Sequence, residues 1–369
     1  MQYLAYSEIK EKLRACGRTW TDGESLHFNW TCSGFELRFR GSFLAARFSA
    51  GGSMEPEGTP QQTNMPEHEV WPLIGVVIDG ETQTSRRVSC VGNCTEALFS
   101  SAQQETHTIR VVKLTENLKT FMSLKGFLTD GEFLTPPPAR QDVIELIGDS
   151  ITCGYGNETR ERDRCFFSED ENGWLSHGAI AARALRMDWD MISISGICLA
   201  PRDALPMAYA ANQLYAFTDR PGQERAGIAA EDWNFVSTPK KYVVLNLGTN
   251  DANAISMSDD PETVEDQFRA DYKAFLKLLR RCNGPATHII CAMGSMDYYL
   301  YDIILEAVAD YRQETRDERI SCLKYMRISP LDPLGAMAHP HVFTQEKMAA
   351  QLVRHIQSLQ RLSGDSCRS

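Results

Sequence analysis

The pattern of apolar residues changes at Thr135-Pro-Pro-Pro138, and this change most constrains what the chain can fold into. Before it, apolar and polar residues alternate as in half-buried β-strands, for example over residues 35–48 and 107–113. After it, short apolar segments alternate with longer helical patterns. Since each proline fixes φ and removes a backbone donor, this stretch reads as a stiff linker. The sequence predicts two domains, residues 1–138 and 139–369.

The second pattern predicts an α/β domain with a parallel sheet covered by helices on both faces, because strands and helices alternate along it. The predicted elements cover residues 143–147, 174–185, 190–194, 242–247, 264–280, 288–293, 303–311, 323–328 and 346–359. Segment 199–240 carries no strong strand pattern and is expected to be irregular. In the first domain, the Gly/Pro/Gln-rich residues 50–70 are expected to form a long polar loop that borders a site.

Composition excludes several classes of function. The net charge of −11, without a basic stripe, argues against nucleic acid as a partner. No apolar run reaches the roughly 18 residues of a membrane span, and the first residues do not resemble a signal peptide, so we expect a cytoplasmic protein without a membrane partner. The 11 cysteines are scattered without a CxxC pair, which favours reduced thiols over a metal site. Oligomeric state cannot be read from the sequence.

The segment Val143–Gly156 suggests a reactive site, because an apolar strand runs into a tight Gly148-Asp-Ser150 turn. Open α/β sheets bind their ligands at the carboxyl ends of strands, and Ser150 would lie there. Taken alone, a capping role for Ser150 is the more frequent explanation. Gly196 and Asn250 also follow predicted strands, and His339 precedes the final helix. Together these residues could supply a nucleophile, a general base and donors for an oxyanion.

These four segments resemble the four blocks of the SGNH (GDSL) hydrolases, namely Gly148-Asp-Ser-Ile, Gly196, Gly248-Thr-Asn-Asp and His339-Pro. The longer strings around Ser150 and Asn250 resemble carbohydrate esterase family two, and Cys16-Gly-Arg18 with residues 35–48 resembles the opening of that family's first domain. The resemblance implies a jelly-roll β-sandwich followed by a flavodoxin-like, three-layer α/β/α hydrolase domain.

The resemblance also implies a role for each matched residue. Ser150 would be the nucleophile and His339 its base, while the Ser150 and Gly196 N–H groups and the Asn250 amide would form the oxyanion hole. Many SGNH hydrolases carry an aspartate three residues before the histidine, but here Ala336 stands there. The resemblance therefore implies a Ser-His dyad oriented by a backbone carbonyl.

Other candidates have simpler explanations. Asp332 is expected to be a turn residue, and His341 competes less well than His339 for the role of base. Three aromatic side chains are candidates for lining the acyl pocket or stacking on a sugar, although turn structure or core packing explains each equally well: Tyr155, Trp233 and Tyr298.

The leading functional hypothesis is an esterase that removes acetyl groups from mannan- or xylan-type oligosaccharides, which would be its partners as substrates. No metal or organic cofactor is expected, since acyl transfer through serine needs none. Neither the sugar nor the hydroxyl position can be read from the sequence. Two alternatives are a broader SGNH lipase or thioesterase, and a carbohydrate-binding protein with a relict hydrolase site.

Overall fold

The first domain is built from antiparallel strands, as seen in a computed structural model that describes residues 1–58 and 64–362. A single-turn helix, α1, covers Tyr6–Ile9. The strands are Gln2–Ala5 (β1), Leu13–Cys16 (β2), Trp20–Thr21 (β3), Leu26–His27 (β4), Gly34–Gly51 (β5), Ser53–Pro56 (β6), Glu67–Val70 (β7), Leu73–Ile78 (β8), Arg86–Ser89 (β9), Asn93–Lys113 (β10), Phe121–Thr129 (β11) and Glu132–Leu134 (β12).

Two long strands organise this domain. β5 and β10 pair antiparallel along most of their length. The pairing register shifts at two places in β10, between Ala97 and Phe99 and between Ser100 and Glu105. Along its other edge, β5 pairs with β2, β12 and β11 in turn. Alternate side chains of β5, including Phe35, Leu37 and Phe39, are fully buried in an aromatic-rich core. The apolar side chains of the predicted alternation over residues 35–48 therefore form part of the domain core.

Two parts of the expected long loop over residues 50–70 are paired β-strands. β6 and β7 pair antiparallel from Ser53 with Val70 to Pro56 with Glu67. The loop prediction was wrong for these strands, because polar side chains are tolerated in a two-stranded ribbon that exposes much of its surface. Residues 59–63 of the predicted loop lie outside the described residues.

The second domain contains a parallel five-stranded sheet in the order β14-β13-β15-β16-β17. Helices cover both faces, and two buried apolar clusters lie against the sheet. The strands are Val143–Gly148 (β13), Asp188–Ser193 (β14), Tyr242–Asn246 (β15), His288–Met293 (β16) and Ile320–Lys324 (β17). The helices are Ser150–Cys153 (α2), His177–Ala184 (α3), Ala211–Leu214 (α4), Arg220–Arg225 (α5), Thr249–Ser256 (α6), Pro261–Asn283 (α7), Tyr301–Thr315 (α8) and Val342–Leu362 (α9).

The predicted fold class is confirmed, and most predicted elements overlap observed ones. The strand predicted at 323–328 instead ends at Lys324, since the residues after it leave the sheet. The helix predicted over 174–185 begins as the short 3₁₀ turn Gly173–Leu175, and α3 starts only after Ser176. The division at 138 remains a prediction; the first domain's sheet ends at Leu134 and the second begins at Val143.

Segment 199–240 lies against the first domain. The Asp219 carboxylate accepts hydrogen bonds from Trp20 Nε1 at 3.0 Å and Asn117 Nδ2 at 2.8 Å. The fully buried Arg18 guanidinium donates to Glu145 of β13 at 2.8 Å and to the Tyr215 carbonyl. These polar contacts join the segment, which contains the short helices α4 and α5, to the first domain. Within the described ranges, no helix combines the length and apolarity needed to cross a membrane.

Candidate active site

Ser150 lies at the carboxyl end of β13, the strand between β14 and β15 in the sheet. The side chain of Asp149 accepts a hydrogen bond from the Ile151 N–H at 3.0 Å and so caps the short helix α2, which Ser150 begins. A Cβ on Gly148 would lie 2.0 Å from Thr152 Oγ1, so only glycine fits the turn. The Gly148-Asp-Ser turn therefore presents the Ser150 hydroxyl above the sheet edge, as the sequence predicts.

His339 follows two residues in an unusual backbone conformation. Met337 and Ala338 have φ values of +47° and +60°, in the left-handed region that side chains rarely favour. Hydrogen bonds from the Ala336 N–H to the Gly156 carbonyl at 3.0 Å and from the Met337 N–H to the Arg164 carbonyl at 3.2 Å anchor this turn. Strained backbone that neighbouring segments hold in place is typical of functional sites.

A continuous chain of hydrogen bonds joins these two segments. His339 Nε2 lies 2.8 Å from Ser150 Oγ, and His339 Nδ1 lies 2.9 Å from the Ala336 carbonyl oxygen. Because a carbonyl only accepts, Nδ1 must carry the proton, which leaves Nε2 free to accept the hydrogen of the Ser150 hydroxyl. Burial lowers the pKa of His339 to about 4, so the imidazole is neutral near pH 7. The pair can act as nucleophile and general base.

Gly196 and Asn250 lie at the same edge of the sheet as Ser150, each in the segment that follows a strand. Gly196 lies in the turn after β14 with a φ of +80°, and Asn250 lies in the first turn of α6 after β15. Asn250 Nδ2 donates one hydrogen to the Ile197 carbonyl at 3.1 Å, which leaves its second amide hydrogen available. Strand order alone brings these residues beside Ser150, since β14 and β15 flank β13.

No carboxylate within the described residues accepts the Nδ1 proton of His339. Asp332 instead pairs with Lys347 at 2.7 Å, and so it does not complete a triad. His341 Nδ1 accepts a hydrogen bond from the Phe343 N–H at 3.2 Å at the start of α9. Both observations agree with the sequence-based preference for His339 and a backbone carbonyl.

The three candidate substrate-binding aromatics lie in different places. The Tyr155 ring is 4.5 Å from the His339 ring, and its hydroxyl donates to Met337 Sδ at 3.2 Å, so it borders the dyad. Tyr298 follows Gly294 at the carboxyl end of β16, on the same sheet edge but two strands from β13.

The structure places Trp233 at the opposite end of the sheet from Ser150, so this candidate does not border the dyad. This side chain lines a cavity with Val143, Asp188 and Asp190, at the amino ends of β13 and β14. β13 spans six residues from Val143 to Gly148, so at about 3.3 Å per residue it separates Trp233 from the Ser150 edge. The sequence could not show this, because the side chain belongs to the segment without predicted elements.

Two apolar residues at the site were not predicted from the sequence. Val70 of the β6–β7 hairpin and Phe166 pack with Tyr155 and Ala336 in one buried cluster beside the dyad. No local motif marks either residue, because their role depends on packing between domains. Within the segment 50–70, Val70 at the end of β7 belongs to this cluster.

Asp251 binds the segment that follows Gly196. Its buried carboxylate accepts hydrogen bonds from the Leu199 N–H at 2.9 Å and from Arg202 Nε at 3.0 Å. The signal for this role was present in the sequence as the last residue of Gly248-Thr-Asn-Asp251. Across residues 1–58 and 64–362, no three His, Cys, Asp or Glu side chains are grouped as a metal site would require.

Comparison with known families divides the chain into two matches. Residues 15–138 match the family described as carbohydrate esterase 2 N-terminal. Residues 146–357 match the GDSL-like lipase/acylhydrolase family. The resemblance noted from the sequence motifs is thereby confirmed.

Matches with similar proteins extend over more than two thirds of the chain. The chain is 28% identical over 335 residues to the cellulase/esterase CelE of Acetivibrio thermocellus, a match that covers 89% of this chain but 37% of that protein. It is 26% identical to an acetylxylan esterase/glucomannan deacetylase of Cellvibrio japonicus, with 68% and 69% covered. A family two carbohydrate esterase from Clostridium thermocellum, solved in complex with cellohexaose, superposes with a TM-score of 0.80 at 26% identity and covers 94% of this chain and 98% of that one.

Proposed function

Because the chain belongs to the GDSL-like lipase/acylhydrolase family, we propose that it is an esterase that removes O-acetyl groups from mannan- or xylan-derived oligosaccharides. The carbohydrate substrate class is supported by the match of residues 15–138 to the carbohydrate esterase 2 N-terminal family. It is supported further by relatives named cellulase/esterase and acetylxylan esterase/glucomannan deacetylase.

The observation that carries the proposal is the contact between Ser150 Oγ and His339 Nε2 at 2.8 Å. In the first half of the reaction, Ser150 Oγ attacks the acetyl carbonyl carbon as its proton passes to Nε2. The tetrahedral intermediate then collapses, the bond between the acetyl carbon and the sugar oxygen breaks, and Nε2 returns the proton to that oxygen. Deacetylated sugar and acetyl-Ser150 result.

Water completes the reaction by the same route. His339 Nε2 takes a proton from a water molecule, whose oxygen attacks the acetyl carbon of acetyl-Ser150. The second tetrahedral intermediate collapses, the bond between the acetyl carbon and Ser150 Oγ breaks, and Nε2 returns the proton to Oγ. Acetic acid leaves and ionises to acetate at neutral pH. In both halves, the negative charge on the acetyl oxygen would be stabilised by the N–H groups of Ser150 and Gly196 and by the Asn250 amide.

A dyad suffices in this proposal because the Ala336 carbonyl takes over the orienting role of the missing aspartate. Its oxygen accepts the His339 Nδ1 proton at 2.9 Å and so fixes both the tautomer and the ring plane. As the imidazole becomes charged, a carbonyl dipole stabilises it less than a full carboxylate charge would. The turn at Met337 and Ala338 is the feature that allows this carbonyl to face the ring.

Mass-resolved deacetylation of a defined acetylated xylo- or manno-oligosaccharide tests the proposal. Wild-type protein should lower the mass of the oligosaccharide by about 42 Da for each acetyl group replaced by hydrogen, and Ser150→Ala should leave the mass unchanged. Binding of the sugar without hydrolysis by the wild type would overturn the proposal in favour of a relict site. Faster hydrolysis of octanoyl than of acetyl nitrophenyl esters would favour a lipase or thioesterase.

The cytoplasmic location expected from the sequence remains a prediction and is part of this proposal. It implies that the enzyme acts on imported oligosaccharides. Detection of the unprocessed chain outside intact cells, without lysis, would contradict it.

A further inference from the structure

The turn Ile194–Ile197 carries the proposed oxyanion donor Gly196. The Ile197 N–H donates to the Ile194 carbonyl at 3.3 Å, which closes a four-residue β-turn. Gly196 occupies the third position with a φ of +80°, as in a type II turn. The Ile194 N–H donates to the Gly148 carbonyl at 3.4 Å and ties the turn to the strand that presents Ser150.

The N–H of Ser195, the next residue of this turn, donates a hydrogen bond to a residue of the first domain. The Ser195 N–H donates to Glu116 Oε2 at 2.6 Å. Glu116 lies between β10 and β11 of the first domain and is almost completely buried. In the described part of the chain, the N–H of Gly196 is then the one N–H of the turn without an acceptor. It is also the one that the reaction would use.

The segment around Glu116 is anchored in the second domain at several points. The Leu114 carbonyl accepts a hydrogen bond from the Gly173 N–H at 2.8 Å, and the Glu116 N–H donates to Glu171 Oε2 at 3.0 Å. Cys153 of the helix that Ser150 begins places its Sγ 4.0 Å from Glu116 Oε2. The carboxyl group therefore has a fixed position between the nucleophile helix and the oxyanion turn.

The chemistry of Glu116 suits an acceptor beside an oxyanion. Burial raises the pKa of Glu116, so its carboxyl group favours the neutral form more than an exposed glutamate does. A neutral carboxyl still offers an oxygen to the Ser195 N–H, but it adds no negative charge next to the place where the oxyanion forms. An uncharged glutamine could supply the same acceptor.

From this geometry we infer that Glu116 of the β-domain is a positioning residue, which fixes the Ile194–Ile197 turn through the Ser195 N–H and thereby aims the Gly196 N–H at the reacting carbonyl. The inference rests on the proposed esterase function. It assigns the first domain a part in catalysis besides any role in carbohydrate binding. Glu116 touches neither substrate nor nucleophile in this role, and it acts through the backbone of its neighbour.

Three substitutions at Glu116 separate an acceptor role from general packing. Glu116→Gln keeps an oxygen acceptor at the same reach, whereas Glu116→Asp withdraws it by one carbon–carbon bond, about 1.5 Å. Glu116→Ala removes the acceptor altogether. The matched control is Asn117→Ala, which removes the hydrogen bond to Asp219 Oδ1 at 2.8 Å from the same buried segment without touching the oxyanion turn.

Steady-state hydrolysis of p-nitrophenyl acetate and thermal unfolding of each variant provide the readouts. For Glu116→Asp and Glu116→Ala we expect kcat to fall about 10- to 100-fold with KM changed less than about threefold, because a misdirected oxyanion donor weakens only the transition state. Glu116→Gln should keep kcat within about threefold of wild type. Asn117→Ala should lower the melting temperature and leave kcat within the same limit.

Unchanged kcat in folded Glu116→Asp would overturn the inference while leaving the proposed function intact. The inference would also fail if Glu116→Gln lost as much activity as Glu116→Asp, or if Asn117→Ala lost kcat to the same extent. Should Glu116→Ala not fold, the comparison of the aspartate and glutamine variants decides. A wild-type chain without any esterase activity would overturn the proposed function and this inference with it.

Discussion

Replacing Gly156 with alanine should disable the dyad without altering either of its members. A Cβ at position 156 would lie 2.3 Å from Ala336 Cβ and 3.0 Å from Ala336 N. Ordinary carbon–carbon contact needs about 3.5 Å, so the two segments must separate by about 1.2 Å, the difference between 3.5 and 2.3. The Ala336 carbonyl that holds His339 Nδ1 at 2.9 Å belongs to the residue that has to move.

The expected loss follows from that displacement. A shift of about 1 Å takes the Ala336 oxygen beyond hydrogen-bond distance of Nδ1 and leaves the imidazole poorly oriented. Misplacement on this scale costs about 100-fold in rate, which corresponds to about 2.7 kcal/mol in the barrier. We therefore expect kcat for p-nitrophenyl acetate to fall about 100-fold in Gly156→Ala, with KM changed little.

Backbone strain alone must be separated from this effect. Gly156 has a φ of +54°, so alanine there also costs about 1 kcal/mol of stability for conformational reasons. Gly227→Ala is the matched control, because Gly227 has a φ of +75° and a Cβ there would meet nothing within 4 Å. If Gly156→Ala is folded and its kcat lies within about threefold of that of Gly227→Ala, the reasoning is refuted.

Three further predictions address the site directly. Asn250→Ala should lower kcat about 10²- to 10³-fold in steady-state assays, less completely than Ser150→Ala, because two backbone N–H donors would remain; equal losses would contradict its role as one donor among three. Asp332→Ala should leave kcat within about threefold of wild type, and a loss of about 10³-fold would contradict the dyad. Since the neutral form of His339 is the base and burial lowers its pKa to about 4, kcat/KM should stay level from pH 8 to about pH 5 and fall tenfold per pH unit below the pKa. A pH–rate profile in which that fall begins near pH 6.5, the usual value for histidine, would contradict the effect of burial.

Local sequence patterns were sufficient for the architecture of the second domain. Strands such as Tyr242–Asn246 and His288–Met293 are continuous apolar runs, and a run of this kind is stable only between two layers of helices. The paired strands Ser53–Pro56 and Glu67–Val70 were missed, because their polar side chains carry no alternating apolar signal. Whether two polar strands pair depends on the side chains that pack against them in the folded protein.

The sequence by itself determined which residues can do chemistry. Glycine is required at 148 because the Thr152 side chain approaches it closely, and Ser150 lies two residues later in the same turn. His339 lies in a His-Pro pair before the final helix. In the structure Ser150 Oγ and His339 Nε2 lie 2.8 Å apart, so the two motifs do meet. The Gly148-Asp-Ser turn could be predicted because it depends on a few consecutive residues.

Only the tertiary structure decided how those residues are supported and which others join them. The Ala336 carbonyl faces His339 because distant segments hold Met337 and Ala338 in left-handed conformations. Trp233 lies at the far end of the sheet, whereas Glu116, 34 residues before Ser150 and in another domain, reaches the turn beside it. Such placements arise from packing between segments remote in sequence, and no local pattern of side chains records them.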